Sequence, residues 1–219
     1  MITKNISLEK IREAYEAGAR DFGENRVQEF LAKVGARHAS PLLPSDIRWH
    51  LVGHLQTNKV RTLLDVGADL VSARLSQGQP QGLPLLLHSL DRVPLAEEIE
   101  KQAEKKNRRV DALIQVNTSG EATKSGFAPD EAEAGIKEIE KMNRIKLRGL
   151  MTIGPLAEDE IRVRGCFRKL RNLRDELQKK FSCLDLTHLS MGMSSDFEIA
   201  VEEGATLVRI GTAVFGERK

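Results

Sequence analysis

Short apolar runs alternate along the chain with stretches in which apolar residues recur every three or four positions. The short runs predict strands at residues 21–25, 48–54, 85–87, 111–117, 147–153, 186–189 and 206–210. The periodic stretches predict helices between them, at residues 8–17, 27–35, 60–64, 95–106, 129–142, 158–180 and 197–201. Ile2 and Thr3, just before Lys4, predict one further and very short strand at the chain start.

Strands and helices therefore alternate, as they do in parallel α/β folds. Eight strand signals separated by helices favour a (β/α)8 barrel with a truncated first strand. An open, doubly wound sheet is the alternative, but its glycine fingerprint G-x-G-x-x-G is missing. A length of 219 residues fits one barrel, so we expect a single domain over residues 1–219.

One segment breaks the alternation. Residues 74–84 are rich in Gly, Gln and Pro and follow neither a helical nor a strand period. Such composition is typical of loops, so we predict a surface loop inserted in or beside the fourth strand. A longer loop costs little closure entropy, and the barrel should tolerate it.

A turn near the carboxyl end has the composition of an anion site. Ser190, Gly192 and Ser194 follow the strand at 186–189 and precede the helix at 197–201. In a strand, turn and helix arrangement, hydroxyls and the free N–H groups of the helix start can donate to an anion. Taken alone, the segment would be read as an ordinary turn.

A second turn of this kind ends the last predicted strand. At Gly211 the missing side chain lets a ligand approach the backbone, and the Thr212 hydroxyl can donate to it. Arg209 precedes them between two apolar residues, where a charge is rarely buried without a partner. Together, the two turns and the arginine predict one phosphate-binding site, as is common after strands seven and eight of such barrels.

Composition narrows the possible partners. The formal charge is +2, from 34 basic and 32 acidic residues, and aromatic residues make up only 4% of the chain. Neither value favours nucleic acid or an anionic membrane as a partner. Cys166 and Cys183 are too few for a disulfide framework or a cysteine-based zinc site, and the histidines show no metal-binding motif. With no signal peptide or membrane-spanning run in the sequence, we expect a cytoplasmic protein.

The other predicted strand ends carry further candidate residues, namely Lys4, Asn25, His54, Asn117, Met151 and Thr152. A lysine facing a pocket with apolar walls is easily deprotonated and becomes an amine nucleophile. An amine together with a phosphate site fits pyridoxal 5′-phosphate (PLP), an aldehyde that lysine can hold as a Schiff base. A sugar-phosphate aldolase or isomerase would use the same two parts.

Six segments resemble a known family. They are A-Y-E-A-G-A-R-D-F-G-E-N-R-V-Q-E, W-H-L-V-G-H-L-Q-T-N-K, L-I-Q-V-N-T-S-G-E-A-T-K-S-G, L-R-G-L-M-T-I, L-S-M-G-M-S-S-D and V-R-I-G-T-A-V-F-G. In this order, and over nearly the whole chain, they are similar to the pyridoxal phosphate homeostasis proteins (the YggS/PROSC family). The resemblance implies a barrel of the alanine racemase N-terminal type that binds PLP without a well-established catalytic activity.

The resemblance also implies roles for individual residues. Lys4 matches the family's Schiff-base lysine, and Arg209 matches the arginine near the pyridine nitrogen. An arginine there keeps that nitrogen unprotonated and the ring a poor electron sink. The phosphate-binding segments contain Ser190, Gly192, Ser194, Gly211 and Thr212, and the pocket is lined by Asn25, His54 and Met151.

The chain departs from the family at its start. The family has a helix and most of a strand before its lysine, whereas three residues precede Lys4 here. We therefore expect a shortened first strand without its usual cover, and a less rigid Lys4.

Two functions with the same cofactor remain open, beside a sugar-phosphate lyase that would show no pyridoxal spectrum. A racemase of the related fold uses a tyrosine from an additional domain, and the single tyrosine here, Tyr15, lies on the first predicted helix. We therefore predict a non-enzymatic carrier of PLP that supplies PLP-dependent apoenzymes and acts as a monomer. A PLP-dependent amino-acid racemase or lyase is the alternative.

Overall fold

The computed structural model describes residues 1–39, 43–44, 46–65, 81–155 and 159–216. Seven strands form one sheet in which each strand pairs in parallel with the next along the chain. They are β1 Asp21–Glu24, β2 Arg48–Leu51, β3 Gln81–Leu90, β4 Arg108–Gln115, β5 Ile145–Met151, β6 His188–Met193 and β7 Leu207–Arg209. The strands curve into a nearly closed barrel.

The first three residues fill the eighth position, between β7 and β1. The Ile2 N–H donates to the Ile210 carbonyl at 2.7 Å, and the Thr3 N–H donates to the Gly23 carbonyl at 2.8 Å. The Gly23 N–H in turn donates to the Met1 carbonyl at 2.7 Å. The predicted parallel barrel is therefore confirmed, with seven strands and a single bridge at Ile2 in the eighth position.

Helices cover the outside of the barrel. They are α1 Leu8–Glu16, α2 Val27–Ala39, α3 Val60–Asp65, α4 Val93–Lys105, α5 Ala132–Ile139, α6 Glu160–Lys180, α7 Phe197–Glu202 and α8 Thr212–Phe215, with a 3₁₀ turn at Thr57–Lys59. Local chemistry starts two of them. The Ser7 hydroxyl accepts from the Lys10 N–H ahead of α1, and the Asp159 carboxylate accepts from the Ile161 N–H ahead of α6.

The apolar core lies between the barrel and its helices. Trp49 on β2 is 6.2 Å from Phe22 on β1 and 6.0 Å from Phe30 on α2, measured between ring centroids. All three are buried. Since side chains alternate along a strand, the neighbours of Trp49 point the other way, and His50 lies in the barrel interior. The interior of this barrel is therefore partly polar.

The prediction of a loop over residues 74–84 is wrong for residues 81–84. Residues 74–80 lie outside the described part of the chain, but Gln81 to Pro84 belong to β3. Gln81 pairs with Arg108 and Gly82 with Arg109. Backbone pairing with β4 thus outweighs the loop-like composition. Pro84 falls where the register is interrupted between Gly82 and Leu86, and a missing N–H is tolerated there.

Candidate ligand site at the carboxyl end of the barrel

A cavity of about 690 Å³ opens at the carboxyl ends of the strands. Six of the predicted site residues line it, namely Asn25, His54, Ser194, Arg209, Gly211 and Thr212. Ile2 lines the same wall, so the chain start and the carboxyl-terminal turns form one site. Its size is within the usual range for small-molecule pockets.

Close backbone contacts hold the loops around this cavity together. A Cβ on Gly53 would lie 2.1 Å from the Asn25 carbonyl oxygen, so only glycine lets the ends of β1 and β2 approach this closely. On the opposite side, the Gly211 N–H donates to the Ser194 hydroxyl at 3.4 Å. The two predicted turns therefore touch, as the sequence implied.

The turn after β6 is held by its own acidic residue. Asp196 precedes α7, but its carboxylate accepts from the Met193 N–H at 2.6 Å instead of capping the helix. Gly211 precedes α8 and has no side chain to cap it. As a result, neither N-cap side chain blocks the start of these two helices, and Ser194 and Ser195 face the cavity.

Arg209 is the buried cation of the site. Its guanidinium donates to the Ser190 hydroxyl and to the Thr152 carbonyl, both at 2.8 Å. Burial lowers the pKa of Arg209 to about 10, which leaves it charged at neutral pH. Both partners are neutral, and Arg209 forms no ion pair within the described residues, although the Asp196 carboxylate is near enough to favour its charged form.

A hydrogen-bonded chain continues from Arg209 through the barrel interior. Ser190 Oγ lies 2.8 Å from His88 Nδ1, His88 Nε2 lies 2.9 Å from His50 Nδ1, and His50 Nε2 lies 3.1 Å from Asp21 Oδ1. Burial, with the positive charges nearby, lowers the pKa of His88 well below its ordinary value, so this imidazole is neutral. His50 and Arg48 hold the pKa of Asp21 far below its usual range.

Donor and acceptor roles along this chain follow from chemistry. Arginine only donates, and an ionised carboxylate only accepts. At one end Arg209 donates to Ser190, at the other Asp21 accepts from His50, and the neutral His88 between them donates at one ring nitrogen and accepts at the other. This series of hydrogen bonds holds the Arg209 guanidinium in one orientation from the barrel interior.

Four predicted site residues lie outside the cavity wall as the described residues form it. Ser190 is buried beneath Arg209, and its hydroxyl is used by Arg209 and His88. Met151 is fully buried at the end of β5, in register with Ser190. Gly192 serves packing, because a Cβ there would come within 2.5 Å of the Ala200 Cβ. Lys4 is half-buried and follows Ile2 by two residues.

Sequence reasoning missed the loop after β4. Lys124 and Ser125 line the cavity, and Gln115 lines it from the strand end. Lys124 Nζ donates to the Gly154 carbonyl at 2.6 Å and lies 3.2 Å from the Glu121 carboxylate. Lys124 follows the end of β4 at Gln115 by nine residues, so its position in the sequence gave no signal of a place at the cavity.

His54 stands at the rim with a fixed orientation. Its Nδ1 lies 2.9 Å from the Asp91 carboxylate, which is itself held by Arg92 at 2.5 Å. Asp91 is buried, whereas 48% of the His54 side chain is exposed. This leaves Nε2 of His54 available to a ligand or to solvent.

Two further findings concern the described residues only. No helix among them is both long and apolar enough to cross a membrane. They also contain no cluster of three or more histidine, cysteine or acidic side chains that could hold a metal ion.

Comparisons with known proteins agree with this geometry. The model of the family "Alanine racemase, N-terminal domain" matches residues 3–219. The pyridoxal phosphate homeostasis protein of Aquifex aeolicus is 48% identical, over 99% of this chain and 85% of that protein. The protein of the same name from Helicobacter pylori is 39% identical, over 99% and 86%.

A solved relative extends the comparison to structure. PipY of Synechococcus elongatus without PLP superposes with a TM-score of 0.83 at 37% identity, over 98% of this chain and 90% of PipY. PipY with PLP bound gives 0.80 at 36% identity, over the same shares. From its barrel, its carboxyl-end cavity and these likenesses, the chain belongs to the pyridoxal phosphate homeostasis protein family.

Proposed function

We propose that this protein binds PLP in the carboxyl-end cavity, holds it as a Schiff base with Lys4 and acts as a non-catalytic carrier in the cell's supply of this cofactor. One observation carries the proposal. Ile2, two residues before Lys4, and the two donor-rich turns form walls of the same cavity, where a Cβ on Gly211 would lie 3.5 Å from Ile2. Binding of PLP by the relative PipY supports it.

The residues of the cavity match the parts of the cofactor. The phosphate group would be bound by the hydroxyls of Ser194, Ser195 and Thr212, all of which line the cavity. Lys4 would meet the aldehyde. Its amine would supply the nitrogen of the C=N bond of a Schiff base, with the carbonyl oxygen of the aldehyde released as water.

Arg209 supports a carrier over an enzyme. When bound, PLP can act as an electron sink, most strongly when its ring nitrogen is protonated. Arg209 is fully charged and donates only, so it cannot hand a proton to an acceptor nitrogen as a carboxylic acid would. The bonds to Ser190 and Thr152 keep it oriented, which suits binding more than carbanion chemistry.

The tyrosine is engaged elsewhere. The Tyr15 hydroxyl donates to Asp46 at 2.6 Å, and the Arg20 guanidinium lies 3.9 Å above its ring. It does not line the cavity as the described residues form it. Tyr15 is therefore poorly placed to act as the second base of a racemase.

One observation favours the enzyme alternative, an amino-acid racemase or lyase. The His54 and Asp91 pair at the rim has the geometry of an oriented general base. Turnover of an amino acid that His54→Ala abolishes, while leaving PLP binding intact, would establish that reading.

An absorbance titration tests the carrier proposal. Wild-type protein with added PLP should develop an imine band, and Lys4→Ala should lack that band while its thermal unfolding is unchanged. If the wild type gives no band, or Lys4→Ala keeps it, the proposal fails. Absence of the band together with turnover of a sugar phosphate would indicate a lyase that uses Lys4.

A further inference from the structure

We propose that Glu24 and Lys33 position Lys4 by clamping the residue before it, Thr3. The inference rests on the proposed function, because it gives Lys4 a reason to be held still. It concerns the contact between the outer face of β1 and helix α2. Glu24 and Lys33 lie there, outside the cavity wall as the described residues form it.

The clamp is a compact polar cluster in an otherwise apolar layer. The Thr3 hydroxyl donates to Glu24 Oε1 through a short hydrogen bond, and Lys33 Nζ donates to the same oxygen at 2.5 Å. Lys33 Nζ also donates to the Thr3 carbonyl at 2.5 Å. Thr3 and the Glu24 side chain are fully buried, and only 11% of the Lys33 side chain is exposed.

These bonds fix the peptide plane that joins Thr3 to Lys4. The Thr3 carbonyl belongs to that plane, and it also accepts from the Ile6 N–H at 2.9 Å, which closes a tight turn. Asn5 holds the third position of the turn with a φ of +59°, a conformation that asparagine adopts more readily than most residues. The Asn5 N–H donates to Glu29 of α2 at 3.3 Å.

The clamp adds to the backbone pairing next to Lys4. Met1, Ile2 and Thr3 form backbone hydrogen bonds with Gly23 and Ile210. Ile2 lines the cavity, and Thr3, which begins the tight turn that carries Lys4, points outward to Glu24. Holding Thr3 from outside therefore sets the direction in which Lys4 leaves the backbone.

Stability alone does not account for this cluster. Glu24 Oε2 is buried without a hydrogen-bond partner within the described residues, and burial raises the pKa of this carboxyl group. A buried ion pair with an unsatisfied oxygen is often less stabilising than apolar side chains of the same size. A role in geometry explains why a carboxylate and an amine occupy these positions.

The test compares Lys33→Met with Lys137→Met, a control that removes an exposed ion pair to Glu133 on the distant helix α5. The probes are PLP and pyridoxine 5′-phosphate, which carries an alcohol in place of the aldehyde. Lys33→Met should slow imine formation at saturating PLP by about tenfold or more, because misplacing a reacting group by about 1 Å has effects of this order. Its affinity for pyridoxine 5′-phosphate should change less than about twofold, since no reacting group must be aligned for that binding.

A second variant separates positioning from folding. Glu24→Met with Lys33→Met removes the charges but keeps the volume, so it should fold and melt near or above the wild-type temperature. It should still form the imine slowly, while Lys33→Arg, which keeps a cationic donor, should recover part of the rate. Wild-type imine kinetics in both Lys33→Met and the double variant would overturn the clamp. A wild-type protein that forms no imine at Lys4 would instead remove the proposed function itself.

Discussion

The two mouths of the barrel enclose cavities of similar size but differ in the partners of their arginines. The cavity at the amino ends of the strands has a volume of about 660 Å³, against about 690 Å³ at the carboxyl ends. At the amino end, the arginines pair with carboxylates, Arg48 with Asp21 at 2.6 Å and Arg148 with Asp111 at 3.0 Å.

At the carboxyl end, Arg209 has only neutral hydrogen-bond partners within the described residues. Hydroxyls of Ser194, Ser195 and Thr212 face the same space. A buried cation among neutral donors favours an anionic ligand, whereas a ring of ion pairs is complete by itself. An arginine that forms no ion pair within the described residues, more than cavity volume, therefore distinguishes the ligand site.

Replacing one arginine at each mouth should have the largest effect on this contrast. Arg209→Met should weaken PLP binding by roughly tenfold to a hundredfold, because hydrogen bonds to charged groups contribute about 1.5–3 kcal/mol. Arg148→Met, at the other mouth, should leave PLP affinity within about twofold, since its partners there are Asp111 and Asp185. Equilibrium titration of both variants measures the difference, and equal losses would show that the two mouths do not differ as described.

A smaller effect should follow from interrupting the series of hydrogen bonds that runs from Arg209 through His88 to Asp21. His88→Leu leaves the Ser190 hydroxyl and His50 Nδ1 without their partner, so we expect a loss of about 2 kcal/mol in the free energy of unfolding. Urea denaturation at pH 7 measures it. A variant as stable as the wild type would show that the hydrogen bonds of His88 do not help to hold Arg209 in place.

The same substitution should change the pH dependence of stability. The pKa of His88 is lowered on folding, so its neutral form contributes stability above the ordinary value of 6.5. That contribution is lost as the pH falls below 6.5, because the unfolded chain then binds a proton that the folded chain excludes. The wild type should therefore lose stability between about pH 7 and 5 more steeply than His88→Leu.

The smallest effect concerns Asp21 at the amino mouth. Its pKa is lowered on folding, so its stabilisation is present above the ordinary value of 3.8 and is lost as the pH falls below it. The side chain is 41% exposed, and we therefore expect Asp21→Asn to cost less than about 1 kcal/mol at pH 7. Thermal melts at pH 7 and pH 3 should differ less for Asp21→Asn than for the wild type, and an unchanged difference would argue against this coupling.

Much of the fold could be read from the sequence, because strand and helix periods are local properties. Even the very short strand segment at Ile2 and Thr3 was predicted from the sequence, although it pairs with the distant residues Gly23 and Ile210. Boundaries were less accurate. Gly35 does not end α2, which continues to Ala39. Pairing with β4 likewise draws Gln81 into β3 despite its loop-like surroundings. These boundaries depend on contacts between distant segments.

The candidate site was predicted only in part, because it too depends on contacts between distant segments. Positions at strand ends located Asn25, His54 and Arg209 at the cavity. Sequence position could not show that the Ser190 hydroxyl is bound by Arg209 and by His88, which lies 102 residues earlier in the chain. It also gave no sign that Lys124, in the loop after β4, would reach the cavity.

The most direct test of the central claim is to find where PLP becomes attached. Borohydride reduction of the PLP-loaded protein, followed by digestion and mass spectrometry, fixes the cofactor on the lysine that holds it. The account predicts a phosphopyridoxyl group on the amino-terminal peptide that contains Lys4, in a ratio near one per chain. Stoichiometric labelling of Lys124, a lysine that lines the cavity, with Lys4 unlabelled would contradict it.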